Sequence, residues 1–214
     1  MVLIGVLGGT FDPIHFGHLR LAQELADGLK LAEVRLVPAG LPWHRGPPGA
    51  TPEHRLEMAR LGGAGNPLFR LDDREVRRNA PGYTVDTLSE LRRELGATQP
   101  LCLLLGSDAF AGLHTWSRWK EIFGLAHLVV VARPGSGLDG LQLNPELRAE
   151  FDHRQTDDKD ELRREANGKI ILHPYFPLDI SATRIRRLLK AGLSPRYLLP
   201  DSVIDYIHTH QIYL

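Results

Sequence analysis

The chain has 214 residues, 43% of them apolar and 24% charged, which suits one soluble α/β-sized core and a single domain over 1–214. Its 26 basic residues are matched by 26 acidic ones. That balance excludes the broad basic field that holds nucleic acid by neutralising phosphates, so no nucleic-acid partner is expected, while a local cationic site for a small anion stays open.

The apolar run "VLIGVL" (2–7) reads as a first strand. It is too short for a signal peptide or a membrane span and has no basic flank, so a cytoplasmic protein without membrane attachment is expected. The stretch 18–29, "HLRLAQELADGL", carries Leu19, Ala22, Leu25, Ala26 and Leu29 at helical spacing. "EVRLVP" (33–38) is a second strand, followed by a Gly- and Pro-rich segment, 39–50, of the kind that forms binding loops. A helix over 51–62 starts with Thr51 as N-cap and Pro52 at the first helical position. Another is expected over 84–95. "PLCLLLG" (100–106) and "HLVVVAR" (127–133) are nearly continuous in apolar residues, as strands covered on both faces are. Cys102, the single cysteine, rules out an internal disulfide, suits a reducing compartment and reads as a small core side chain. The polar segment 134–168 reads as a surface excursion rather than a second domain. "KIILHP" (169–174) is a last strand, and helices follow over 181–192, stopped by Gly192, and over 199–210, capped by Asp201 or Ser202. Strand–helix alternation predicts an α/β fold of the Rossmann-like kind, with a doubly wound parallel sheet.

The turn "GGTFDPIHFGH" (8–18) joins the first strand to the first helix. Ligands of open parallel sheets bind beyond the carboxyl ends of strands, and a helix N-terminus is a seat for phosphate. His15 and His18, three apart, can face one side, and Gly17 leaves room for a group to lie against the backbone. Other readings stay open for this turn alone. The pair is also half of a zinc pattern, without a convincing second half, and it also suits histidines with no special role. The dinucleotide G-x-G-x-x-G spacing is incomplete. A second stretch, "DISATRIRR" (179–187), opens a helix with Ser181 and Thr183 as cap-type residues and Arg186 one turn on. It suits either a second anion seat or an ordinary cap followed by an exposed basic helix.

Together, "GGTFDPIHFGH" and "ISATRIR" resemble the bacterial nicotinate-nucleotide adenylyltransferases, within the nucleotidyltransferases that carry an HxGH signature. The resemblance extends to "RNAPGYTVDTL" (78–88), "LLGSDAF" (104–110), "TWSRW" (115–119), "VARPG" (131–135) and the "LLP…VIDYI" ending. It implies adenylyl transfer from ATP to nicotinate mononucleotide, with Mg²⁺ bound mainly through ATP. It implies that His18 and His15 act at the phosphates, with Gly8, Gly9, Thr10, Phe11 and Gly17 of the same turn against ATP. Ile180, Ser181, Thr183 and Arg186 would hold the leaving phosphates. Gly106, Ser107 and Asp108 would lie near the ribose, and Arg133 near the adenine end. For the mononucleotide, the resemblance points to Tyr83, Thr84 and Trp116 at the ring and to His44 and Arg45 at the phosphate. The segment before His44 reads Ala39, Gly40 and Trp43, where the family often has Asn and a second Pro. Two alternatives compete: an adenylyltransferase for nicotinamide mononucleotide, and a non-catalytic nucleotide-binding domain. A homo-oligomer is compatible with the sequence, which says nothing for or against it.

Overall fold

A computed structural model describes residues 1–41, 47–78, 82–132, 143–175 and 177–214. Six parallel strands form one sheet in the order β3-β2-β1-β4-β5-β6. They are β1 (Ile4–Gly9), β2 (Glu33–Pro38), β3 (Phe69–Leu71), β4 (Leu101–Gly106), β5 (His127–Ala132) and β6 (Ile170–Pro174). The helices are α1 (Phe16–Leu29), α2 (Pro52–Gly63), α3 (Arg74–Arg78), α4 (Thr84–Leu95), α5 (Ser107–Ala111), α6 (Pro145–Arg154), α7 (Glu161–Arg164), α8 (Ala182–Lys190) and α9 (Asp201–Thr209). Two 3-10 turns, Leu113–Thr115 and Trp119–Gly124, lie between α5 and β5.

The apolar runs become the inner strands for the expected reason. Every residue of β4 from Leu101 to Leu105 is buried, and Leu128 to Val131 of β5 are buried too. A strand covered on both faces has no polar face to alternate with. Register is parallel throughout: Ile4 pairs with Leu101, Cys102 with His127, and Leu128 with Ile170. Strand order reverses between β1 and β4, which end in Gly9 and Gly106.

Two compact units can be distinguished. The first comprises Met1–Leu7, Leu25–Val34 and Tyr83–Phe176. Its core contains Leu88 and Leu91 of α4, Leu101 to Leu105, Leu128 to Val131, and Ile170. Cys102 is fully buried there, and burial pushes its thiol up, out of the reactive range. His127 is also fully buried. Its Nδ1 accepts from the Lys169 amide at 3.1 Å, and its Nε2–H donates to the Glu165 carbonyl at 3.0 Å, which requires a neutral ring.

The second unit comprises Gly8–Glu24, Arg35–Gly82 and Pro177–Leu214. Phe11, Ile14, Leu36, Met58, Ile185, Val203 and Ile207 make up its core. It also buries Arg55 of α2 completely. That guanidinium donates to the carbonyls of Thr10 (2.8 Å), Ala39 (2.6 Å), Gly40 (2.6 Å) and Ala50 (3.3 Å).

The segment expected as a surface excursion holds two short helices, α6 and α7, anchored by buried Leu147, Phe151 and Leu162. Helix α9 begins at Asp201 after Pro200, with no side-chain cap: Asp201 pairs with Arg196 at 3.4 Å, and the Ser202 hydroxyl donates to the Leu61 carbonyl at 3.4 Å.

Candidate functional site

The β1–α1 turn answers why its glycines and histidines stand where they do. Phe11 adopts a left-handed φ of 48° and is buried. Its ring folds back so that a Cβ on Gly9 would meet Phe11 Cε1 at 2.7 Å. Gly9 is therefore required by packing. Around Gly8 a Cβ would meet nothing within 4 Å, so the protein itself does not demand a glycine there.

His15 closes the turn, and its carbonyl accepts from the amides of His18 (2.9 Å) and Leu19 (3.2 Å) at the start of α1. Its ring lies stacked on that of His18, with centroids 3.8 Å apart and planes 23° apart. A Cβ on Gly17 would meet the His15 ring at 3.0 Å. Packing against the His15 ring alone therefore favours a glycine at position 17. The His15 amide donates to His18 Nδ1 at 3.3 Å. A ring nitrogen that accepts carries no hydrogen, so neutral His18 presents its Nε2–H as a donor. His15 Nδ1 is buried with no hydrogen-bond partner among the described residues. Burial lowers the His15 pKa from 6.5 to about 4.

The second anion-type stretch lies in the same unit. Ser181 is the N-cap of α8, its Oγ accepting from the Arg184 amide at 3.3 Å. A hydroxyl that accepts in a cap keeps its own hydrogen to donate. Thr183 is exposed in the first turn of α8, and the Ile180 carbonyl lies 3.6 Å from the position of a Gly17 Cβ. Arg186 reaches the first turn across 174 residues of sequence: its Nη1 donates to the Asp12 carbonyl at 2.7 Å and stands 3.3 Å from Asp12 Oδ2. The two stretches singled out in the sequence are therefore neighbours.

Of the remaining candidates, Tyr83, Thr84, Gly106, Ser107, Asp108 and Trp116 lie in the first unit. Gly106 ends β4 as the N-cap of α5, and a Cβ there would meet nothing within 4 Å. Ser107 and Asp108 follow in the first turn of α5, Asp108 exposed. Tyr83 is the N-cap of α4 without a side-chain cap bond, and Thr84 is the first residue of that helix. Trp116 follows the first 3-10 turn, half-buried, with its amide on the Leu113 carbonyl at 2.9 Å. Arg118, two residues on, forms an ion pair with Asp86 of α4, so Thr84 and Trp116 sit on elements that are tied together. His44, Arg45 and Arg133 lie outside the described residues.

Sequence reasoning missed Asp12, Arg55 and Tyr213, whose contacts hold the β1–α1 turn. A signal was present for Asp12 alone, as the one carboxylate inside the histidine turn. Among the described residues no group of three His, Cys, Asp or Glu side chains is placed to hold a metal ion, and no helix is long and apolar enough to cross a membrane.

Residues 6–188 match the family model described as cytidylyltransferase-like. That match, the parallel sheet and the histidine turn define a nucleotidyltransferase of that family. Two relatives carry the name "probable nicotinate-nucleotide adenylyltransferase". One, from Dechloromonas aromatica, is 54% identical over 210 residues, covering 98% of this chain and 97% of that protein. The other, from Aeromonas hydrophila, is 50% identical over 210 residues, covering 98% and 96%. The chain belongs to the nicotinate-nucleotide adenylyltransferase family. In fold it is similar to the Plasmodium falciparum nicotinic acid mononucleotide adenylyltransferase solved in complex with NaAD. The TM-score is 0.71 at 18% identity, over 100% of this chain and 98% of that one.

Proposed function

We propose that this chain transfers the adenylyl group of ATP to nicotinate mononucleotide, giving nicotinate adenine dinucleotide and pyrophosphate in NAD biosynthesis. The observation that carries the reading is the stacked His15–His18 pair in one unit with Arg186 and the α8 cap. It is a set of donors for an anion, without a carboxylate pair for acid–base work. The relatives' names supply the acceptor, and the fold is that of a solved family member.

The chemistry fits those donors. An oxygen of the mononucleotide phosphate attacks the α-phosphorus of ATP, the bond from that phosphorus to the bridging oxygen breaks, and pyrophosphate leaves with the electron pair. The nucleophile is already anionic at pH 7, so alignment and neutralisation of charge are what the protein must supply. In this reading His18 Nε2–H donates to the α-phosphate, and His15 completes its buried hydrogen bonding on a phosphate oxygen. The Ser181 hydroxyl, Thr183 and Arg186 hold the leaving phosphates, with Ile180 as the residue that leads into them. Gly8 is open because the ligand passes there, with Thr10 alongside, and Gly9, Phe11 and Gly17 keep the turn in shape. Gly106, Ser107 and Asp108 take the ribose region on the same argument from open space at Gly106. Tyr83, Thr84 and Trp116 take the nicotinate ring. His44, Arg45 and Arg133 are assigned to the mononucleotide phosphate and the adenine end on the resemblance alone. The donor set suits phosphate and not a cation, so Mg²⁺ would travel on the triphosphate, held by phosphate oxygens and water, and no step is derived through it. We place the reaction in the cytoplasm.

Pyrophosphate release from ATP should require nicotinate mononucleotide and yield one dinucleotide per pyrophosphate. Release that does not depend on the mononucleotide would overturn the reading.

A further inference from the structure

Asp12 is 5% exposed and sits in the middle of the histidine turn, yet nothing in the transfer chemistry calls for a carboxylate there. Its two oxygens collect four donors. Oδ1 accepts from the Tyr213 hydroxyl at 2.6 Å and the Ala50 amide at 3.1 Å. Oδ2 accepts from the Gly49 amide at 2.8 Å and faces Arg186 Nη1 at 3.3 Å. The Asp12 carbonyl takes the same Nη1 at 2.7 Å. Three of the four donors to the carboxylate are neutral. They satisfy the charge without Arg186, so the guanidinium is steered by Asp12 and not consumed by it. Fixing Nη1 on two oxygens of one residue orients the planar group, and among the described residues Nη2 and Nε take no other partner.

Tyr213 is buried, on the segment that follows α9, and a Cβ on Gly49 would meet its ring at 2.9 Å. Burial and the neighbouring carboxylate push its hydroxyl up, so it stays a donor at every working pH.

We infer that Asp12 and Tyr213 are positioning residues for the leaving pyrophosphate, acting through Arg186: Tyr213 holds the Asp12 carboxylate, and Asp12 sets the guanidinium in the orientation that meets the phosphates. The inference rests on the proposed role of Arg186. It differs from a general structural role in one respect: removing the Tyr213 hydroxyl weakens phosphate binding only while Arg186 is there to be oriented.

The test is a double-mutant cycle of Tyr213→Phe and Arg186→Ala, read by calorimetric titration with ATP and with inorganic pyrophosphate. Tyr213→Phe keeps the packed ring and deletes one donor. It should weaken both ligands about tenfold in the natural background, the scale of one charge-assisted hydrogen bond, and less than about twofold when Arg186 is already Ala. Asp12→Asn, equal in volume, is the second variant and should show the same dependence on Arg186. Equal factors in the two backgrounds would overturn the inference while leaving the adenylyl-transfer reading intact. Binding of ATP with the expected coupling but no turnover on nicotinate mononucleotide would overturn that reading alone. A chain that binds neither ATP nor pyrophosphate would overturn both.

Discussion

His18 Nδ1 accepts from the His15 amide at 3.3 Å, so a neutral ring carries its hydrogen on Nε2. In the proposed reading that Nε2–H is the donor to a phosphate. Such a donor matters most as charge builds in the transition state, so His18→Ala should lower kcat by on the order of 10²–10³ and change ATP affinity far less. Near-normal kcat would remove His18 from the mechanism. The two adjacent glycines should separate binding from stability. Gly9→Ala drives a Cβ into the buried Phe11 ring and should cost about 1–3 kcal/mol. Gly8→Ala has open space and should leave stability within about 0.5 kcal/mol while weakening ATP. Thermal unfolding and ATP titration of both variants check this; a Gly8 variant that binds ATP normally would refute the close approach. His15 adds a pH dependence. Its folded pKa of about 4 lies below the unfolded 6.5, so the unfolded chain protonates first. The stability is complete above pH 6.5 and declines as pH falls toward 4, by up to about 3 kcal/mol. His127, also lowered by burial, acts in the same direction. Denaturant titrations between pH 7.5 and 4.5 should show a shallower decline for His15→Asn than for the natural chain; equal slopes contradict the assignment.

At the scale of elements, continuous apolar runs were legible because inner strands of a parallel sheet have no polar face. Thus β2 runs over the expected residues 33–38 and β5 starts at the expected His127. The caps Thr51 and Ser181 and the stop near Gly192, with φ of 67°, were legible because their chemistry is local. What was not legible depends on distant partners. β3 has three residues and no period. Helices α6 and α7 bury only Leu147, Phe151 and Leu162 between charged residues, which reads as surface. In the candidate site, the turn and the α8 cap could be read, but the tie between them is made by Asp12 and Arg186, which no spacing rule connects. Arg55 is the plainest case. An arginine in an amphipathic helix reads as solvated, whereas here it satisfies four carbonyls from three segments. Arg55→Ala leaves those acceptors unpaired and should destabilise the protein by about 2–5 kcal/mol, and Arg55→Lys should recover only part, since one ammonium cannot span the fork. Full recovery by lysine in a chemical unfolding experiment would contradict this account of α2.

For the whole molecule, fold class and reaction class followed from strand–helix alternation and from two short motifs near the ends of the chain. The preferred substrate is a finer matter. The nicotinate and nicotinamide rings differ little in size, so shape separates them poorly. In the proposed reading, N–H and O–H donors near Thr84 and after Trp116 would accept a carboxylate at both oxygens, whereas an amide would turn its NH₂ against one of them. One buried polar group left unpaired costs roughly 1–3 kcal/mol, or about tenfold to a few hundredfold in rate. In the same reading, stacking on Trp116 would serve both rings alike, so Trp116→Ala should weaken both mononucleotides together, while changes at Thr84 should narrow the gap. The most direct measurement is kcat/KM for each mononucleotide at saturating ATP. The account predicts that nicotinate mononucleotide is favoured by about tenfold to a few hundredfold; equal values, or a preference for the amide, would contradict it.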